Sequence, residues 1–210
     1  MKKTIISCFI CTTLLIITSA FAIAQPGTLD ITFGVQGKIF EDNKRGEANT
    51  IAIQKDGKIV TGGHFYSGYQ IEDANIVIAR FNSDASVDND FGEGGRFILN
   101  DGDGSRATSL QNIFIQKDGK ILAAGRFMTG NGSINADIAL IRLNKDGKAD
   151  SSFGGNGVII VKLSPYYDML GEMALQEDGK ILVAGLKGVQ NPNLNSAIPF
   201  LMRLNNDGSY

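Results

Sequence analysis

The chain has 210 residues, with 26 glycines, 4 prolines, 2 cysteines, one histidine, no tryptophan and a formal net charge of -2. Weak acidity gives no basic face for nucleic acid. A lone histidine (His64), no Gly-x-Ser-x-Gly elbow and no cysteine beyond Cys11 leave no nucleophile–base pair, no disulfide and no thiolate metal site in the body of the chain.

Residues 1–24 read as a secretory signal: Lys2 and Lys3, an apolar stretch to about Thr18, then two small-x-small sites, Ala20-Phe21-Ala22 and Ala22-Ile23-Ala24. The expected location is therefore secreted, extracellular or at the cell surface, with no membrane span after cleavage. Cys8 and Cys11 both fall in this leader, and neither is placed for lipid attachment.

The body of the chain repeats three times. Asp30-Ile31-Thr32-Phe33-Gly34-Val35-Gln36-Gly37 returns as Asp88-Asn89-Asp90-Phe91-Gly92-Glu93-Gly94-Gly95, and again as Asp150-Ser151-Ser152-Phe153-Gly154-Gly155-Asn156-Gly157, at spacings of 58 and 62 residues. The repeats are taken as 29–86, 87–148 and 149–210. Each carries four candidate strands. The first follows the Phe-Gly motif (38–40, 96–99, 158–161). The second (50–54, 112–116, 172–176) and the third (58–63, 120–125, 180–185) flank an Asp-Gly pair: Asp56-Gly57, Asp118-Gly119 and Asp178-Gly179. Asp-Gly between strand patterns predicts a hairpin, because glycine accepts the positive φ of a tight turn. The third strand is nearly all apolar or small, which predicts burial on both faces. The fourth carries an arginine (Arg80, Arg142, Arg203). Pro199 in its last copy predicts an edge position, with the fourth strand outermost in its sheet. A four-stranded sheet cannot bury both faces alone, so the expectation is all-β: a β-propeller-like array of antiparallel four-stranded blades.

These residues resemble the delta-60 repeat family of bacterial β-propeller repeats, through Asp-x-x-Phe-Gly-x-x-Gly, Gln-x-Asp-Gly-Lys-Ile and an Arg-Leu-Asn-x-Asp-Gly linker. The linker stands here as Arg142-Leu143-Asn144-Lys145-Asp146-Gly147 and Arg203-Leu204-Asn205-Asn206-Asp207-Gly208; the first copy departs, ending in Asp84-Ala85. The resemblance implies a secreted or surface protein of a bacterium and no particular activity. Propellers usually close with four or more blades. Three repeats therefore imply a piece of a longer protein, with an open arc or a ring built from several subunits as the alternatives.

Candidate sites are few. Asp30, Asp88 and Asp150 are expected to cap turns or pair with Arg80, Arg142 and Arg203 rather than bind cations. Phe33, Phe91 and Phe153 are expected to plug the core. Their glycines (Gly34 and Gly37, Gly92 and Gly95, Gly154 and Gly157) are expected to serve backbone geometry. Asn100–Ser105 resembles a calcium loop but has Asn112 where the closing acid belongs. No metal or cofactor is expected. Tyr66, Tyr69, Tyr166 and Tyr167 lie in loops and form possible binding positions. Framework residues repeat while loops diverge, which suits a non-enzymatic binding or scaffold module for a protein or glycan partner. The alternatives are a propeller-type hydrolase or lyase with a carboxylate site and a structural spacer in a longer surface protein.

Overall fold

The computed structural model describes residues 27–40, 45–66, 74–99, 107–128, 135–189 and 197–210. The leader, Tyr69 and the Asn100–Ser105 stretch lie outside them. Among the described residues every regular element is a strand: β1 (Gly46–Ile53), β2 (Ile59–Tyr66), β3 (Ala74–Phe81), β4 (Arg96–Leu99), β5 (Ala107–Ile115), β6 (Ile121–Met128), β7 (Ala136–Leu143), β8 (Val158–Val161), β9 (Met169–Leu175), β10 (Ile181–Gly188) and β11 (Ala197–Leu204). They form three antiparallel sheets, ordered β1-β2-β3-β4, β5-β6-β7-β8 and β11-β10-β9.

The hairpins at Asp56-Gly57, Asp118-Gly119 and Asp178-Gly179 join the first two strands of each sheet. Gly57 N–H donates to Gln54 O at 3.0 Å, Gln54 N–H to Lys58 O at 2.8 Å and Lys58 N–H to the Asp56 carboxylate at 3.1 Å. Only the glycine takes positive φ, 83° at Gly57, 84° at Gly119 and 86° at Gly179.

Sheet composition differs from the sequence repeats by one strand. The strand after the second and the third Phe-Gly motif joins the arginine strand of the preceding repeat: Arg96 pairs with Ala79 and Leu99 with Ile76, then Val158 with Ile141 and Val161 with Ile138. The arginine strands β3 and β7 are therefore internal, contrary to expectation, and only β11, with Pro199 opposite Leu186, is an edge. The cause is local. Asp88 N–H donates to Arg80 O and Arg80 N–H to Gly95 O, both at 3.0 Å. The motif thus folds back onto the arginine strand before the chain moves on. The first such strand candidate, Lys38–Phe40, enters no sheet; Lys38 makes only an isolated bridge to Gly34. No arginine strand precedes it among the described residues.

The sheets stack face to face. Val60, Ile76 and Ile78 of the first meet Leu110, Ile113, Ile121, Ala123 and Ile141 of the second. The opposite face of the second sheet, with Leu122, Ala124, Ile138 and Leu140, meets Leu170, Met173, Ile181 and Val183 of the third. Small residues on the middle strands set this spacing: a Cβ on Gly62 would lie 2.2 Å from a Leu110 methyl. The sandwiched strand β7 is buried along its whole length, while β11, covered on one face only, alternates.

The linker after β3 departs from its counterparts at a strained position. Ala85 has φ 73°, where Gly147 has 80° and Gly208 has 85°. The left-handed region costs an L residue about 1–2 kcal/mol, and glycine's larger unfolded-state entropy offsets part of that. Ala85→Gly is expected to raise the unfolding free energy by up to about 1 kcal/mol, measured by urea denaturation. The reverse change, Gly147→Ala, is expected to destabilise, because its Cβ would stand 2.7 Å from the Phe91 ring and 2.6 Å from Gly92 N.

Candidate functional site

The repeated polar residues converge on one arrangement that occurs twice. In the first copy, Lys58, just before β2, and Arg80 on β3 both reach Asp88 Oδ2: Lys58 Nζ at 2.7 Å and Arg80 Nε at 2.6 Å. Arg80 Nη1 donates to Lys145 O at 2.5 Å, in the linker of the next sheet, and its guanidinium lies 4.5 Å from the Phe91 ring centre. In the second copy, Lys120 Nζ (2.8 Å) and Arg142 Nε (2.6 Å) reach Asp150 Oδ2. Arg142 Nη1 donates to Asn206 O, and its guanidinium lies 4.7 Å from Phe153. Gly92 N–H then donates to Asp146 O at 2.7 Å and Gly154 N–H to Asp207 O at 3.3 Å. Each arginine therefore holds its own sheet's closing motif with one edge of its fork and the following sheet with the other.

Arg80, Asp88, Arg142 and Asp150 are all buried, as are Phe91 and Phe153 at 0% exposure. Burial alone would raise the Asp88 carboxyl. Hydrogen bonds and charge from Lys58 and Arg80 outweigh it and hold the group below the ordinary 3.8. The same opposition, with Lys120, Ser152 and Arg142 supplying the bonds, depresses Asp150 strongly. A carboxyl depressed in the folded state contributes stability that is complete above its unfolded value and is lost as pH falls through the folded one. Melting temperature is therefore expected to hold down to about pH 4 and to drop below it, where the unfolded aspartates take up protons first. Asp150→Asn should flatten that limb; a limb of unchanged slope in this variant would contradict the assignment.

The third copy of the arrangement is dispersed. Asp30 accepts Thr32 N–H at 3.0 Å and Thr32 Oγ1 at 2.6 Å, and these bonds lower its carboxyl. Asp150 Oδ1 holds Ser152 in the same way. However, Asp30 is exposed, and no lysine or arginine of the described residues pairs with it. Phe33 is half-buried and Arg203 is exposed. Lys180, the counterpart of Lys58 and Lys120, turns to Asp178 at 3.2 Å.

Tyr66, Tyr166 and Tyr167 lie at the opposite end of the sheets from the Asp-Gly hairpins, and Tyr69 lies outside the described residues. Tyr66 is half-buried, its hydroxyl 3.2 Å from His64 Nε2 and its ring 5.5 Å from the Arg45 guanidinium. Tyr166 and Tyr167 are half-buried in the segment between β8 and β9, with Arg126 at 5.3 Å over the Tyr167 ring. Burial lowers the Arg126 guanidinium. Sequence reading missed the residue that shapes this segment. Asp168, at 0% exposure, accepts Leu163 N–H (2.8 Å), Ser164 N–H (3.0 Å), Ser164 Oγ (2.7 Å) and Gly188 N–H (3.0 Å). The only trace is the Ser164…Asp168 spacing, which has no counterpart in the other repeats. Asp84, near Asp88 and Asp90 in sequence, accepts Ser86 N–H at 2.9 Å. Among the described residues no group of three or more His, Cys, Asp or Glu is placed to hold a metal ion, and no helix is long and apolar enough to cross a membrane.

Stacked antiparallel sheets, the first two each closed by a strand from the following repeat and locked to the next sheet through a buried Asp–Arg pair, define a propeller-type repeat protein. The family described as "Domain of unknown function (DUF5122) beta-propeller" matches residues 54–91, 116–153 and 176–209, more than half of the chain. The chain belongs to this family. It is also similar to a crystal structure of a protein of unknown function from Bacteroides caccae, at 14% identity and a TM-score of 0.28, over 78% of this chain and 65% of that one. This chain thus spans less than two thirds of that relative's length. No curated protein matches.

Proposed function

We propose that this is a secreted or cell-surface propeller repeat protein of the delta-60 type, acting as a non-enzymatic module that binds a protein or glycan partner. The observation carrying this reading is a sorting of variable from invariant segments. The repeated Asp-Gly hairpins and Asp-Arg linkers lie at one end of the sheets. The strand ends joined by the connections β2–β3, β4–β5, β6–β7, β8–β9 and β10–β11, whose sequences differ between repeats, all lie at the other. A rigid frame presenting divergent loops on one side suits recognition. The buried repeated aspartates support a non-catalytic reading, because lysine, arginine and hydroxyl donors already hold them.

The test is binding to a panel of polysaccharides and surface-protein extracts before and after replacing both Tyr166 and Tyr167 with alanine. Loss of a retained ligand with unchanged circular dichroism supports the reading. Unchanged binding counts against these loops, and turnover of any polysaccharide would replace binding with catalysis. Export is checked separately by mass: the mature chain is expected to begin at Ile23 or Gln25.

A further inference from the structure

The described residues hold three unsatisfied features that fit one another. The first is an open edge: β11 has no strand on its far side, whereas its counterparts β3 and β7 carry β4 and β8. The second is a strand without a sheet: Lys38–Phe40 follows its Asp-x-x-Phe-Gly motif just as Arg96–Leu99 and Val158–Val161 follow theirs. The third is the dispersed arrangement itself, with Asp30 at one end of the array and Lys180 and Arg203 at the other.

The exposed faces at the two ends correspond in the same way. The outer face of the third sheet carries Leu182, Ala184, Leu186 and Leu201, with Leu201 72% exposed. It is the repeat equivalent of the Leu122, Ala124 and Leu140 face, which the third sheet covers completely. The outer face of the first sheet opens on a cavity of about 410 Å³ lined by Ile39, Phe40, Thr61, Phe65, Val77 and Phe81. It is the equivalent of the face through which Ala123, Ala139, Ile141 and Leu143 pack on the sheet before. The outer faces of the first and third described sheets are therefore the two halves of an interface made twice between them.

We infer that a second copy of this chain occupies both ends: Asp30–Phe40 of each copy adds to β11 of the other, and the outer face of each first sheet covers the other's third sheet. By repeat register, Lys38 pairs with Met202, Ile39 with Leu201 and Phe40 with Phe200, as Arg96, Phe97 and Ile98 pair with Ala79, Ile78 and Val77. Asp30 then takes Arg203 and Lys180 through Oδ2, its Oδ1 already being committed to Thr32, and Phe33 slides beneath the Arg203 guanidinium. Head-to-tail contacts close only if the rotation closes. Two copies of three sheets make six, within the four to eight blades of closed propellers, so the pair is self-limiting.

The experiment is light scattering on the purified chain across micromolar concentrations, with two charge-reversed variants. Wild type is expected at twice the chain mass. Asp30→Arg and Arg203→Asp place like charges at both junctions of a homodimer and should each weaken pairing by at least about a hundredfold. An equimolar mixture should recover the dimer, because in the mixed pair every junction holds one aspartate and one arginine. Both positions are exposed in the single chain, so the variants should melt like the separated wild type. A second measurement fixes the register: Lys38→Cys with Met202→Cys should give a disulfide-linked dimer on oxidation. A wild type that stays monomeric, a mass that climbs without limit, or a mixture that does not re-pair would each overturn the inference. The monomeric result would leave the two surfaces to further repeats of a longer chain.

Discussion

Replacing Arg142 by methionine is expected to lower the unfolding free energy by about 3–5 kcal/mol, the usual cost of leaving a buried charge without its partner. Arg142 and Asp150 are 4% exposed, so water cannot take the place of the lost guanidinium. Lys120 is then the one cation left on Asp150, through the same Oδ2 and with its own side chain 28% exposed, beside the Ser152 bonds to Oδ1. The change also removes the bond to Asn206 O in the following linker and the cation over Phe153. Arg142→Lys should recover only part of the loss, since one ammonium cannot span Asp150, Ser152 and Asn206 as a fork does. The internal control is Arg203→Met, the same strand position with its arginine exposed, expected to cost less than about 0.5 kcal/mol in the single chain. Guanidinium denaturation of the three variants decides the matter. Equal effects at Arg142 and Arg203 would show that the buried pair adds nothing. Removing both charges together, Arg142→Met with Asp150→Leu, should restore most of the stability, because a missing pair costs far less than half of one.

Phe153→Ala is expected to cost about 3–5 kcal/mol, and Phe153→Leu appreciably less, through the cavity left when a fully enclosed ring is cut back. Phe153 is 0% exposed, beneath the Arg142 guanidinium and against Gly208, where an added Cβ would lie 2.9 Å from the ring. The ring thus joins the closing motif of the second sheet to the linker of the third, and its removal loosens two sheets at once. Phe33 holds the same place in the motif but is only half-buried, so Phe33→Ala is expected to change the stability of the single chain by about 1 kcal/mol or less. Thermal melts of both alanine variants at low protein concentration test this. A Phe33 effect as large as that of Phe153 would mean that the first motif is packed as tightly as the third.

The strands and hairpins were legible because their signals are local. An Asp-Gly pair between alternating apolar runs can turn in few ways, and the run at Ile121–Gly125 leaves no polar face for water. The strand grouping was harder. Arg96–Leu99 reads equally well as the start of its own sheet or the end of the previous one, since the sequence records the strand and not its partner. The decision lies in the Asp88 N–H to Arg80 O and Arg80 N–H to Gly95 O bonds, between residues brought together only by the fold-back of the linker. The Asp–Arg pairing stood among the expected readings of Asp88 and Asp150, but the third partner, a backbone carbonyl of the next sheet, did not. A carbonyl leaves no mark on residue identity. Asp168 was invisible for the same reason: three of its four donors are backbone amides, and the fourth is the hydroxyl of Ser164 in a segment found in one repeat only.

By itself the sequence determined the unit, its threefold recurrence, its all-β character and the residues spent on keeping it uniform. Periodic patterning and turn chemistry act over a few residues and are written directly into the order of side chains. Only the tertiary structure decided where one sheet ends and the next begins, which arginines are buried and which exposed, and which surfaces are left without a neighbour. Those outcomes depend on what stands beside each repeat, and identical motifs at residues 30, 88 and 150 therefore reach different environments.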